Sequence, residues 1–137
     1  MKIYVAHSRG FDYKNELYKP IRECDNLKDY EIILPHESDE YSYHGRDFYK
    51  NIDLYICEVS FPATGLGMEL AFAYDENKPI YCIYKKGNKF SSSIKSVTDK
   101  IIEYDTTDQM VKIIEDIIIN YKKVLCQIVL VNNKFDK

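Results

Sequence analysis

Short runs of β-branched and aromatic residues alternate along this chain with longer stretches in which apolar residues recur at helical spacing. The short runs fall at residues 2–6 (KIYVA), 31–35 (EIILP), 53–59 (DLYICEV), 80–84 (IYCIY) and 101–104 (IIEY), and the helical stretches at about 12–24, 43–51, 65–76, 91–98 and 107–123. Strands that are apolar on both faces and separated by helices predict a parallel sheet covered on both sides. The expected fold is therefore α/β: a single doubly wound, flavodoxin- or Rossmann-like domain with a five-stranded parallel sheet and right-handed crossovers. The last helix is the clearest, because Met110, Val111, Ile113, Ile114, Ile117 and Ile118 mark one face. Pro20 interrupts the first and should kink it or mark a late start. Residues 36–46 (HESDEYSYHGR) are polar and aromatic and read as a long loop after the second strand. The apolar tail at 124–131 either extends the last helix or adds an edge strand, so a domain at 1–123 followed by a tail at 124–137 is expected.

Composition narrows the function. The chain has 137 residues, 45% of them hydrophobic and 30% charged, enough for one ordinary domain core. A formal charge of −3 supplies no basic footprint for a nucleic acid polymer, though a small nucleotide remains compatible with it. No apolar run reaches the roughly 20 residues of a membrane span, and the opening MKIYVAHSRG meets Ser, Arg and Gly too early for a secretory segment, so no membrane partner and a cytoplasmic location are expected. The four cysteines (Cys24, Cys57, Cys82, Cys126) form no Cys-x-x-Cys pair, which argues against zinc ligands and a disulfide framework, and Cys57 and Cys82, inside predicted strands, are expected to be small buried hydrophobes. His7, His36 and His44 share no predicted element at ligand spacing, so no metal is expected.

In an open parallel sheet, ligands bind in the crevice at the carboxyl ends of the strands. Four polar clusters fall there: His7, Ser8, Arg9 and Gly10; His36 and Glu37; Ser60 through Gly67; and Lys85 through Ser93. The third is the most informative. Thr64 is expected as an N-cap whose hydroxyl accepts from the first turn, while Gly65 and Gly67 let a ligand approach the backbone, which describes a phosphate-binding helix start. TGLG is nonetheless short of the Gly-x-Gly-x-x-Gly fingerprint, and GLGMEL lacks the Lys-Ser/Thr of a P-loop. Glu69 follows close behind, where the helix field should keep it ionised; a carboxylate so placed is equipped to attack the anomeric carbon of a sugar or is simply a helix-favouring acid in solvent.

The segment DLYICEVSFPATGLGMELAFAYDENKPIYCIYKKG resembles the nucleoside 2-deoxyribosyltransferase family and looks closest to its 2′-deoxynucleoside 5′-monophosphate N-glycosidase branch. The shared features are a strand, a loop with a Ser or Thr, Gly-x-Gly-x-Glu-Leu-x-x-Ala, and a Lys-Pro pair leading into the next strand. The resemblance is specific over these residues and looser from the N-terminus to about residue 96. It implies Glu69 as nucleophile, Thr64 as a phosphate-contacting hydroxyl, Gly65 and Gly67 as the close-approach glycines, Ser8 and Arg9 after the first strand as nucleotide-binding residues in a loop one residue shorter, and Ser91 of KFSSSIKS as a phosphate-binding serine. It also implies an aspartate ahead of the nucleophile, yet that spacing lands on Gly45, leaving Asp47 as the nearest carboxylate.

The resemblance implies a cofactor-free enzyme that cleaves the N-glycosidic bond of a deoxynucleoside or its 5′-monophosphate, by hydrolysis or transfer. It also implies a homo-oligomer, for which the tail offers a contact. Glu58 matches the family but equally suits a structural role, and the tyrosines of YSYHG (Tyr41, Tyr43) suit stacking on a base. The alternatives are a nucleotide-sensing module of the same fold without the acid–base partner, and cleavage of an NAD-like ribosyl bond.

Overall fold

The computed structural model describes residues 1–38 and 44–135. Five strands, β1 (Lys2–His7), β2 (Glu31–Ile33), β3 (Leu54–Glu58), β4 (Ile80–Lys85) and β5 (Ile101–Tyr104), form one parallel sheet in the order β2-β1-β3-β4-β5. The helices are α1 (Lys19–Glu23), α2 (Arg46–Lys50), α3 (Thr64–Asp75) and α4 (Thr107–Phe135). All five strands lie where the apolar runs placed them, and the expected α/β doubly wound class holds.

The period-two alternation of β1 and β3 divides the core in two. Ile3, Val5, Leu54 and Ile56 face α1 and α4, packing with Leu17, Ile21, Met110, Ile114 and Ile118. Tyr4, Ala6, Tyr55 and Cys57 face the other way, packing with Tyr49 of α2 and Leu66, Leu70 and Ala73 of α3. Cys57 and Cys82 are register partners and buried, as expected; Cys24 is only half-buried and Cys126 is exposed. Asn77, at φ 55°, ends α3 in the left-handed conformation, its N–H donating to the Tyr74 carbonyl at 3.0 Å, and Pro79 prevents resumption.

Three expectations change. The helix predicted at 12–24 is a π-helical turn (Lys14–Tyr18) that runs into α1 through helical backbone at Tyr18 and Lys19, with Pro20 the second residue of α1. The stretch at 91–98 is a 3-10 turn, Ser92–Ser96, rather than an α-helix. The tail is no edge strand: α4 passes through position 123 without a break, for 29 residues in all. Thr106 Oγ1 accepts from Gln109 N–H at 3.2 Å and Gln109 Oε1 accepts from Asp105 N–H at 2.6 Å, which fixes where α4 begins. Among the described residues no helix is long and apolar enough to cross a membrane.

Candidate active site

The order β2-β1-β3 places a topological switch point between β1 and β3, where connections leave toward opposite sides of the sheet and open a crevice. Loops from the carboxyl ends of both strands meet there. Phe11 and Phe61 stack across it with ring centroids 5.0 Å apart and planes 18° from parallel. Behind them, His7 at the end of β1 is ringed by Tyr13, Tyr18 and His36 at 4.6, 5.1 and 5.5 Å.

α3 enters this region with Ala63, not Thr64, as its extended N-cap, and no side chain caps it. Thr64 is the first helical residue, so its hydroxyl does not cap the helix as expected; the first-turn N–H groups of α3 keep no intrahelical partner. At 100° per residue, the residues behind the cap divide onto two flanks. Thr64 and Gly67, with Ser91, Ser93 and Ser96 of the 3-10 turn, line a cavity of about 510 Å³ floored by Leu70. Gly65 and Glu69 lie on the opposite flank, and neither they nor Ser8, Arg9 and Asp47 line that cavity. Ser91 Oγ accepts from Ser93 N–H at 3.4 Å, capping its own turn.

Glu69 is half-buried, and its Oε2 is enclosed without a hydrogen-bond partner among the described residues. Burial raises its pKa from 4.5 to about 7, opposed in part by a hydrogen bond with the Tyr4 side chain. The helix field therefore does not hold Glu69 ionised as the sequence suggested. It is the sixth helical residue, past the first turn where that field acts, and desolvation dominates. Tyr4, in turn, is wedged among Phe48, Tyr49 and Tyr55 at 5.8 to 5.9 Å between ring centroids.

The remaining candidates separate. Ser8 is buried and its Oγ accepts from Gly10 N–H at 2.9 Å, shaping the loop after β1; Arg9 is exposed and acts on the electrostatics of His7 and His36. Asp47, in the first turn of α2, has a side chain 93% exposed and paired with Lys50 at 3.3 Å, so the structure does not bring it to Glu69. Glu58 takes the structural role: buried at the end of β3, it accepts from Ser60 N–H at 2.6 Å and from the Tyr104 hydroxyl, tying the ends of β3 and β5 together. Tyr41 and Tyr43 lie outside the described residues. Tyr4 and Tyr18 carried no signal in the sequence, since one reads as a strand residue and the other as a helix residue; only the fold turns their hydroxyls toward Glu69 and His7.

A Cβ added at Gly65 or Gly67 would meet nothing within 4 Å, so the fold itself needs neither glycine. Each nonetheless costs about 1 kcal/mol against alanine inside a helix. Gly67→Ala should therefore stabilise the protein by roughly 0.5–1 kcal/mol in a denaturant titration, while a weaker nucleotide affinity by calorimetry would show that the open backbone serves a ligand.

The structure is thus a doubly wound α/β protein with an enclosed glutamate and a serine–threonine cavity on the two flanks of one helix start. No family model matches the chain. It is 32% identical over 113 residues, 69% of this chain and 76% of the other, to a Nematostella vectensis protein bearing the name 2′-deoxynucleoside 5′-phosphate N-hydrolase 1. It superposes with a TM-score of 0.57 on the solved CMP N-glycosidase BcmB of Clostridium botulinum, 15% identical, over 84% of this chain and 99% of that one, which is a likeness of fold. The chain belongs to the 2′-deoxynucleoside 5′-phosphate N-hydrolase family.

Proposed function

We propose that this protein hydrolyses the N-glycosidic bond of a 2′-deoxynucleoside 5′-monophosphate, with Glu69 as nucleophile. The observation that carries the reading is the Glu69 carboxyl: enclosed, one oxygen unpartnered, and positioned by Tyr4 beside the crevice. Ionised Glu69 attacks C1′ as the C1′–N bond breaks, and water then cleaves the glycosyl ester. The first-turn N–H groups of α3 and the Thr64 and Ser91 hydroxyls bear the 5′-phosphate, which a helix N-terminus favours; Arg9, outside that cavity, adds a positive field at the carboxyl end of β1, Ser8 shapes the loop there, and Gly65 and Gly67 give the approach. A phosphate-bearing site favours hydrolysis of monophosphates over transfer between free nucleosides.

The test is to incubate the protein with each of the four deoxynucleoside monophosphates and follow free base by chromatography. Release from at least one is expected; binding of all without release removes the catalytic reading.

The tail supports a homo-oligomer. Along α4 the residues Met110, Ile114, Ile117, Tyr121, Val124, Ile128, Val131 and Phe135 form a continuous stripe of alternating four- and three-residue steps. Met110, Ile114 and Ile117 are buried in the domain and Tyr121 is half-buried against it, whereas Val124, Ile128, Val131 and Phe135 are exposed. Such a stripe is the seam of a helix pair. Sedimentation should give more than one chain for the whole protein and a monomer for a chain ending at Lys123; equal association of both removes the tail from the contact.

A further inference from the structure

Helix α2 is one that its own sequence does not support. It has five residues, well short of the roughly 12 that an isolated helix needs, and no side chain caps it at Gly45. It is held from outside, by Arg46 above all. The Arg46 guanidinium lies over the Phe72 ring at 4.4 Å, pairs with the Asp75 carboxylate at 2.7 Å and comes within 3.8 Å of Glu76. The Tyr49 ring adds a contact with Phe72 at 5.4 Å, and the Tyr49 carbonyl accepts from the Tyr55 hydroxyl at 2.9 Å.

Where Arg46 grips α3 gives the contact its meaning. Glu69, Phe72 and Glu76 stand at i, i+3 and i+7 and so share one flank of that helix. Arg46 therefore presses α2 onto the flank that carries the nucleophile, a turn beyond it. The next residues of α2 meet Glu69 through one intermediary: the Tyr4 hydroxyl donates to the Glu69 carboxyl, and the Tyr4 ring is enclosed edge-on by Phe48 and Tyr49, each at 5.9 Å between centroids.

We propose that Arg46 is a positioning residue of this site: by clamping α2 to the Glu69 flank of α3, it holds Phe48 and Tyr49 around Tyr4 and keeps water from the Glu69 carboxyl. The proposal rests on the hydrolytic reading above.

A clamp and a mere charge have opposite signs. Loss of a cation acting through space disfavours the carboxylate and raises the Glu69 pKa above about 7, whereas a loosened α2 admits water and lets it fall toward 4.5. Burial is the larger influence on Glu69 and the Tyr4 hydrogen bond the smaller, so hydration outweighs any weakening of that bond. Among the described residues, Tyr18 ahead of α1 and Tyr55 and Cys57 on β3 also feel Glu69. Burial holds the two tyrosines above their ordinary values, and the Cys82 contact with burial holds the thiol, so none of the three changes charge where Glu69 titrates. On α2 and just before it, Asp47 pairs with Lys50 at 3.3 Å and His44 stacks on Phe48 at 3.7 Å.

The test follows the Glu69 carboxyl by ¹³C NMR titration, its signal assigned by its loss in Glu69→Gln, alongside kcat for base release from a deoxynucleoside monophosphate, at a temperature where circular dichroism shows each variant folded. Arg46→Met keeps an aliphatic stem over Phe72 and removes the ion pairs; it should lower the titration midpoint by about one unit or more and kcat by about tenfold or more. Arg46→Lys keeps the charge without the planar fork and should shift both in the same direction by less. Lys50→Met removes the same charge from the same helix and should leave the midpoint unmoved and kcat within about twofold. An Arg46→Met midpoint that is unmoved or raised, or, where that chain does not fold, an unmoved Arg46→Lys midpoint, overturns the clamp and leaves the hydrolytic reading intact. A wild-type protein that releases no base overturns the hydrolytic reading and the part of Arg46 in it, whatever the midpoint.

Discussion

Replacing Glu69 by glutamine should lower base release by on the order of 10³-fold or more, as removal of a covalent nucleophile does, and at the same time stabilise the folded chain at alkaline pH. The two effects have one origin. In the fold the Glu69 carboxyl titrates near pH 7 rather than at 4.5, because burial disfavours its charge. A folded-state pKa raised above the unfolded value means that the protonated form is favoured by folding, so the contribution to stability is complete below pH 4.5 and lost as the pH rises to about 7. Above that window the ionised carboxylate works against folding by about 3 kcal/mol, from 1.36 kcal/mol per unit of displacement. Glu69→Gln removes that penalty, so its gain by chemical denaturation should be largest at pH 8 and under about 1 kcal/mol at pH 5. The same titration governs catalysis with the opposite sign. Nucleophilic attack needs the ionised form, so kcat/KM should climb as the pH rises through about 7. A profile already flat by pH 6, or a variant no more stable at pH 8 than at pH 5, contradicts the desolvated nucleophile.

Tyr104→Phe should cost about 3 kcal/mol of unfolding free energy, the scale of a buried carboxyl losing a hydrogen-bond donor. Glu58 is only 1% exposed, and its two oxygens are met by Ser60 N–H and the Tyr104 hydroxyl. Ser60 Oγ also accepts from Lys85 N–H at 2.8 Å, so the cluster links the carboxyl ends of β3, β4 and β5. Phenylalanine keeps the packing and removes only the donor. Urea midpoints should show the loss, and Glu58→Gln combined with Tyr104→Phe should cost less than the sum of the single changes, the mark of two groups in one network. Strict additivity argues against the tie.

The fold was legible because its signal is local. Five apolar runs of strand length separated by helical spacing admit few arrangements, and β1 and β3, buried on both faces, are the runs with no polar alternation. Boundaries were read less well. Pro20 did not reveal the π-helical turn ahead of α1, whose Leu17 and Tyr18 are buried in the core. The serines at 91–96 suited any helix start, and the length and type of that turn follow from docking Ile94 into the core.

The site was half legible. Composition at the start of α3 marked Glu69, Thr64, Gly65 and Gly67 as one cluster, but helical geometry divides them between two flanks. Asp47 was the nearest carboxylate in sequence, and proximity in sequence did not carry it inward, because the first turn of α2 faces solvent while Tyr49 of the same helix is buried.

The sequence by itself determined the strand and helix order, the absence of a basic nucleic-acid footprint, and the residue types at the front of α3. Those follow from short-range periodicity and composition, which survive in one dimension. Only the tertiary structure decided that Glu69 is desolvated, that Tyr4 meets its carboxyl, that Glu58 is structural, and that Tyr18 and His36 close around His7. Each depends on which residues distant in sequence share a low-dielectric space, and that is settled by parallel pairing of β1 with β3 and by the packing of α3 against them.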